Sequence, residues 1–142
     1  MPNAEEIIHE VESFYRGYID AFNREDIDQF TDAFAFPYAW ITGEGGISTC
    51  ANESDHQRWL GRIMGTLKER GWNRSAIDRM RAWPMAENLA MVMADYTRYK
   101  GDDTVLENGR ACYTVRRDGK KWKIVALAEV KPPYRGPGDI PR

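Results

Sequence analysis

Residues 7–42 restrict the possible folds of this chain more than any other segment. Apolar side chains recur there at the three- and four-residue spacing of one helical face, which predicts a long amphipathic helix ending near Asn23. A shorter helix starts at Asp26 and stops before Pro37, because proline cannot continue a helix. Residues 38–42 then have the aromatic and β-branched composition of a strand. Two helices followed at once by a strand predict a helical layer that covers a sheet and leaves room for a ligand pocket.

Capping pairs predict where the first and third helices begin. Asn3 with Glu6, and Ser54 with Gln57, have the three-residue spacing in which a side chain and a backbone amide satisfy each other at a helix N-terminus. An apolar stripe at helical spacing follows the second pair and ends at Gly71, a residue that suits a helix C-terminus. We therefore expect three helices in the first half of the chain.

The second half of the chain predicts a β-meander. Helical spacing disappears after residue 75, and the expected strands are 75–83, 89–99, 104–117 and 121–130. Asn108–Gly109 is interpreted as a bulge, and the glycine-rich residues 43–46 are expected to close an earlier hairpin. This order predicts an α+β, cone-shaped fold with three N-terminal helices packed on a curved, mainly antiparallel sheet.

Composition excludes several classes of protein. The 142 residues, 42% of them hydrophobic, suit one domain, which we expect at 1–131 with a loose tail at 132–142. We find no leader-like start and no run of about 18 apolar residues, so we expect a cytoplasmic protein that does not enter a membrane. The pI of about 5.7 argues against nucleic-acid binding. Cys50 and Cys112 have neither disulfide-framework nor metal-ligand spacing, and no metal or cofactor is expected.

Four segments carry a resemblance to a known family. They are 18–34, 40–41, 90–96 and 118–124. Together they resemble the nuclear transport factor 2-like superfamily, specifically its SnoaL-like bacterial members, across nearly the whole chain. The resemblance implies a cystatin-like fold. It implies no particular activity, because this superfamily combines isomerases, cyclases, dehydratases and hydrolases with non-catalytic domains.

Comparison with two kinds of enzyme in this superfamily argues against steroid-type isomerisation and scytalone dehydratase-like chemistry. Tyr18 falls where the ketosteroid isomerases carry their oxyanion-hole tyrosine. Thr42 and Ala111 fall where those enzymes carry the general base and the protonated acid, so two of the three groups are missing. Scytalone dehydratase-like chemistry uses pocket histidines, and neither His9 nor His56 suits that role.

Asp95 is the catalytic candidate, with Tyr18 as its partner. It interrupts an apolar strand, where aspartate is unfavourable unless a partner compensates. By alternation it shares a face with Met93 and Thr97, and we assign that face to the pocket. Desolvation there would favour the neutral acid, as in many general acids and bases. The alternative is structural: Asp95 pairs with Arg110 or another arginine of the sheet, or hydrogen-bonds to Tyr18.

The pocket is expected between the first helix and the concave face of the sheet. Its predicted lining residues are Tyr15, Tyr18, Trp40, Met93, Asp95, Tyr113 and Ala126. The favoured function is the binding of a small, partly apolar organic molecule. The alternatives are an acid–base lyase, isomerase or hydrolase that uses Asp95, and an association module without a ligand.

The convex face of the sheet is expected to form a homodimer. Strands that are apolar on both faces need cover on both sides, and a second copy of the same surface is the simplest cover. The residues assigned to this face are Val92, Ala94, Tyr96, Cys112, Thr114, Val125 and Leu127.

Overall fold

The computed structural model describes residues 2–43 and 45–134 of the chain. Its helices are α1 (Ala4–Asn23), α2 (Ile27–Asp32) and α3 (Glu53–Glu69). Its strands are β1 (Phe34–Thr42), β2 (Ile47–Cys50), β3 (Trp72–Ala86), β4 (Leu89–Lys100), β5 (Val105–Asp118) and β6 (Lys121–Val130). No helix in the described part of the chain is long and apolar enough to cross a membrane.

Side-chain caps begin all three helices. Asn3 caps α1 and Asp26 caps α2, as predicted; each side chain accepts a hydrogen bond from the backbone amide three residues later, at 2.9 and 3.1 Å. α3 begins earlier than predicted, because its cap is Asn52, which accepts from the amide of Asp55 at 3.0 Å. Asp55 in turn accepts from the amide that precedes the cap, at 3.0 Å. The reciprocal pair is therefore Asn52 with Asp55, and Ser54 lies inside the first turn.

The six strands form one mixed sheet in the order β2-β1-β6-β5-β4-β3. Neighbouring strands are antiparallel except β1 and β6, which are parallel. The predicted α+β class with a mainly antiparallel sheet is confirmed. β1 begins before Pro37 rather than after it, and its pairing with β6 is irregular between Phe34 and Ala39. This irregularity accommodates Pro37, because proline has no N–H for the ladder.

The face of the sheet that the helices cover is identified by Tyr113. Direct partners across an antiparallel pair point to the same face, and Tyr113 pairs with Val92 on one side and Leu127 on the other. The Tyr113 ring packs against Tyr15 of α1, with ring centroids 5.1 Å apart. We call this the inner face and the opposite side the outer face. The outer face corresponds to the convex face of the prediction. Cys112 and Thr114 lie on it as predicted, but four other residues lie on the inner face, so their prediction was wrong: Val92, Ala94, Tyr96 and Leu127.

Gly109 permits a close approach of an aromatic ring and does not form the predicted bulge. The pairing of β4 with β5 is regular at Asn108 and Gly109, and the register shift lies between Val105 and Glu107. A Cβ atom on Gly109 would lie 2.3 Å from the hydroxyl oxygen of Tyr96. The Tyr96 ring therefore lies directly on the bare backbone of Gly109.

His56 links α3 to the rest of the helical layer. Its ring is fully buried, with Nδ1 2.6 Å from the hydroxyl oxygen of Tyr38 and Nε2 3.0 Å from that of Thr31. Burial lowers the pKa of His56 to about 4, so the ring is neutral at neutral pH. A neutral imidazole has one donor and one acceptor nitrogen, and both are satisfied here.

The described part of the C-terminal tail touches the outer face. The Tyr134 ring lies over the guanidinium group of Arg110, whose Cζ is 4.4 Å from the ring centroid. The predicted loose tail, 132–142, falls mostly on 135–142, which lie outside the described residues. The domain limit at residue 131 stays a prediction.

Candidate functional site

A small cavity lies between the helices and the inner face of the sheet. Its volume is about 40 Å³, which is space for a few water molecules but not for an organic ligand. Aromatic and aliphatic side chains of α1, α2 and α3 form one side. The polar lining comes mainly from Tyr15, Tyr18, Tyr96, Arg98, Tyr113 and Glu129.

Three buried tyrosines form one wall of this cavity. The hydroxyl oxygens of Tyr18 and Tyr113 are 3.2 Å apart, within hydrogen-bonding distance, and the Tyr15 ring packs on Tyr113. Burial raises the pKa of all three well above the ordinary value, so the hydroxyl groups keep their protons. The structure thus places three of the predicted pocket residues together. The expected approach of Tyr18 to Asp95 is wrong, since Tyr18 bonds to Tyr113 instead.

Glu129 provides the carboxylate of the cavity. It lies on β6 two residues after Leu127 and opposite Ala111, on the inner face. Its side chain is half-buried, and within the described residues nothing donates a hydrogen bond to it or forms an ion pair with it. Burial raises the pKa of Glu129, and the positive charges of Arg98 and Lys131 offset that rise only in part. Glu129 is therefore a desolvated acid without a partner in the part of the chain that the structure describes.

Arg98 lies beside Glu129 but is engaged elsewhere. Its Nη1 donates to Glu107 at 2.7 Å and to the hydroxyl oxygen of Tyr96 at 3.3 Å. Glu107 also pairs with Arg70 and Lys131, and these cations outweigh burial and lower the pKa of Glu107 to about 2. The Nε–H group of Arg98, by contrast, is buried and has no acceptor in the part of the chain that the structure describes.

A larger cleft adjoins the cavity. Its volume is about 520 Å³, within the range of sites that hold small organic molecules. Trp40, Val130 and Pro133 supply apolar wall. Tyr96 and Glu129 line both the cleft and the cavity, so the carboxylate stands where the two meet. Trp40, predicted as a pocket residue, lines this cleft rather than the cavity.

Asp95 lies on the outer face, and its predicted position in the pocket is wrong. Its two carboxylate oxygens accept from Nε and Nη2 of Arg110, at 2.6 and 3.1 Å, and Arg79 donates to Oδ2 at 2.7 Å. Burial alone would raise the pKa of Asp95, but the two guanidinium groups lower it. Asp95 is thus an ionised acceptor held by two arginines. The structural interpretation, a pair with Arg110, replaces the catalytic one.

Two further residues predicted to line the pocket also lie on the outer face. Met93 pairs with Cys112, and Ala126 pairs with Thr114, both on the side away from Tyr113. Alternation along a strand fixes which side chains share a face, but it does not say which face the helices will cover. The sequence analysis therefore grouped the residues of β4 by face correctly but assigned the pocket to the wrong face.

Glu129 and Arg98 were missed by the sequence analysis, although a signal was present. Glu129 follows the apolar run 124–128 on β6 in the same way that Asp95 follows an apolar run on β4. It has the same parity as Leu127, which lies in the core. Within residues 2–43 and 45–134, no group of three or more His, Cys, Asp or Glu side chains could hold a metal ion.

The fold matches those of solved bacterial proteins. An NTF2-like protein of unknown function from Pseudomonas putida KT2440 is 16% identical, with 94% of this chain and 92% of that chain covered and a TM-score of 0.74. A protein of unknown function with a cystatin-like fold from Nostoc punctiforme is 16% identical, with 92% and 95% covered and a TM-score of 0.74. Aln2 from a Streptomyces species is 16% identical, with 92% and 94% covered and a TM-score of 0.71. At this identity the likeness concerns the fold alone.

Comparison of the sequence with curated proteins gives no match. The family described as NTF2-like protein (DUF6841) matches residues 6–132, which is nearly the whole chain. The predicted relationship to the nuclear transport factor 2-like superfamily is therefore confirmed. This chain belongs to the DUF6841 family of NTF2-like proteins.

Proposed function

We propose that this protein binds a small, partly apolar organic molecule at the junction of the cleft and the cavity. The observation that carries this proposal is the Glu129 carboxylate, which is desolvated, lines both spaces and lacks a partner among the described residues. A carboxyl group that lies in a cleft and whose pKa is shifted by desolvation is a candidate for a functional site. A ligand group is the natural partner for this carboxylate.

The cleft and the cavity differ in size and therefore fit different parts of a ligand, its body and its head group. The cleft, at about 520 Å³, is large enough for an organic molecule, and Trp40, Val130 and Pro133 offer it apolar contact. The cavity, at about 40 Å³, accepts no more than a small polar group. The body of the ligand therefore lies in the cleft, and its polar end reaches past Glu129 toward the tyrosines.

Catalysis centred on Asp95 forms no part of this proposal. Both carboxylate oxygens of Asp95 are occupied by arginines, and Asp95 contributes to neither the cavity nor the cleft. A general acid or base must come within hydrogen-bonding reach of the proton that it transfers. The position of Asp95 across the sheet from the cavity rules out that reach.

A matched pair of glycine substitutions tests the proposed location. A Cβ atom on Gly43, which lines the cleft, or on Gly101, in the turn after β4, would meet no atom within 4 Å, so both sites have room for a side chain. A neutral naphthalene dye whose fluorescence responds to an apolar environment serves as the ligand. Gly43→Trp fills the cleft and is expected to weaken dye binding about ten-fold or more, while Gly101→Trp leaves it unchanged. Equal binding by both variants would contradict the proposal.

The outer face supports a second function, self-association into a homodimer. Its central residues are apolar or small and half-buried to buried: Met91, Met93, Cys112, Ala126 and Ala128. The helices in the described part of the chain pack on the inner face, and a second copy of the chain would cover the outer one. Light scattering at micromolar concentration is expected to give twice the chain mass. A monomer that persists at that concentration would exclude the dimer. The cytoplasmic location stays a prediction.

A further inference from the structure

Three groups that line the cavity lack a partner among the described residues: the Nε–H of Arg98, the indole N–H of Trp59 and the carboxylate of Glu129. Arg98 and Glu129 also lie within reach of each other's charge, and they are of opposite hydrogen-bonding type. The Nε–H group of Arg98 can only donate, and it is buried without an acceptor among the described residues. The carboxylate of Glu129, once ionised, can only accept, and no described side chain donates to it. These two groups do not bond to each other, because Arg98 directs Nη1 to Glu107 and Tyr96.

We propose that the head group of the ligand is a hydroxyl that accepts from Arg98 Nε and donates to the Glu129 carboxylate. This inference rests on the proposed function. A hydroxyl oxygen combines an acceptor and a donor in one atom, so a single group that fits a cavity of about 40 Å³ can satisfy both residues. The substrate class is thus an alcohol with an apolar body.

Other head groups leave one of the two protein groups unsatisfied. A ketone, an ether or a carboxylate accepts from Arg98 but turns lone pairs toward Glu129. An ammonium group satisfies Glu129 but adds a positive charge beside Arg98 and Lys131, whose charges already act on this carboxylate.

Four naphthalene derivatives that differ in the head group test the proposal. They are 2-naphthalenemethanol, its methyl ether, the corresponding aldehyde and the corresponding amine, compared by calorimetry at pH 8. The alcohol is expected to bind about ten-fold more tightly than each of the others, the effect of one hydrogen bond to a charged group. Equal affinity for all four would overturn the hydroxyl inference, as would tightest binding of the amine.

Variants at the two groups separate this inference from the proposed function. Glu129→Leu is expected to abolish the preference for the alcohol, while Glu129→Gln, which keeps an accepting oxygen, restores part of it. Arg98→Lys keeps the charge but lacks Nε–H, and is expected to reduce the preference as well. A preference that survives Glu129→Leu would overturn the inference. Gly43→Trp reports on the proposed function. If all four compounds bind equally and Gly43→Trp prevents their binding, the location of the site is correct and the hydroxyl inference is wrong. If Gly43→Trp blocks none of them, the site itself is wrong.

Discussion

Asp95 and Glu129 are two carboxylates in similar strands with opposite environments. Each interrupts an apolar run, Asp95 on the outer face of β4 and Glu129 on the inner face of β6. Asp95 is held by Arg110 and Arg79, which lower its pKa, whereas Glu129 has no partner among the described residues and burial raises its pKa. A carboxylate in a strand is therefore weak evidence of function by itself. The missing partner distinguishes the candidate site from the structural ion pair.

The largest effect is expected when Asp95 loses its charge. Asp95→Asn leaves the buried guanidinium group of Arg110 beside a neutral amide, and removal of one partner from a buried ion pair costs about 3–5 kcal/mol of the free energy of unfolding. Binding of the naphthalene dye should be unchanged, because Asp95 lies across the sheet from the cleft. Chemical denaturation and dye titration measure the two quantities.

Arg79→Gln is the control for this prediction. The Arg79 side chain is 42% exposed, and exposed ion pairs contribute about 0–1 kcal/mol, so this variant should be nearly as stable as the wild type. If Asp95→Asn is as stable as Arg79→Gln but binds the dye poorly, Asp95 belongs to the binding site and not to a structural ion pair.

The sequence predicted the local structure well because local rules decide it. Helix limits follow from apolar spacing and caps, so Asn3 and Asp26 were identified correctly. The predicted cap of α3 was two residues too late, because Asn52 and Ser54 are both residues that favour a helix N-terminus. The choice between them depends on Asp55, whose side chain accepts a hydrogen bond from the backbone before Asn52. The strands of the meander were located because Lys100–Asp103 and Asp118–Lys120 are strong turn sequences.

The candidate site was predicted less well because it depends on contacts between distant residues. Tyr15, Tyr18 and Tyr113 were placed together because the helix stripe and one strand parity both pointed inward. The two faces of β4 were assigned the wrong way round, because Val92 and Met93 are equally apolar and the sequence does not show which face the helices cover. Glu129 could not be separated from Asp95 without knowing that the arginines lie opposite Asp95.

The buried, hydrogen-bonded His56 of the helical layer is expected to make the stability of the protein depend on pH. Its pKa is about 4 in the folded state and about 6.5 in the unfolded state, so stability is full above pH 6.5 and falls as the pH drops toward 4. The loss should reach up to about 3 kcal/mol. His56→Gln does not titrate, and the stability difference between it and the wild type should shrink by that amount over this range. A constant difference would show that His56 does not carry this pH dependence.

Gly109 tests how closely Tyr96 must pack to keep the cleft open. Gly109→Ala places a Cβ atom 2.3 Å from the Tyr96 hydroxyl oxygen, so the ring must move. Overpacking of this kind costs about 1–3 kcal/mol, and dye binding should weaken because Tyr96 lines the cleft. Gly101→Ala, at a glycine with open space, is the control and should change neither quantity. If Gly109→Ala retains full dye affinity, Tyr96 does not shape the binding site.

The smallest effect, and the most direct test of the comparison, is the sign of the pH dependence at Glu129. The pKa of Glu129 in the folded state lies above its value near 4.5 in the unfolded state, so ionisation of Glu129 lowers the free energy of unfolding. This destabilisation is complete at a pH above the folded-state pKa and is absent at a pH below the unfolded-state pKa. Glu129→Gln should therefore be more stable than the wild type at pH 8, by less than the other variants change stability, because the half-buried carboxylate keeps contact with cleft water. The advantage should disappear as the pH falls to 4.5. Asp95 has the opposite sign, since its lowered pKa contributes stability that acid removes. A Glu129→Gln variant that is less stable than the wild type at pH 8 would mean that the carboxylate has a partner in the folded protein, and the argument for a ligand there would fail.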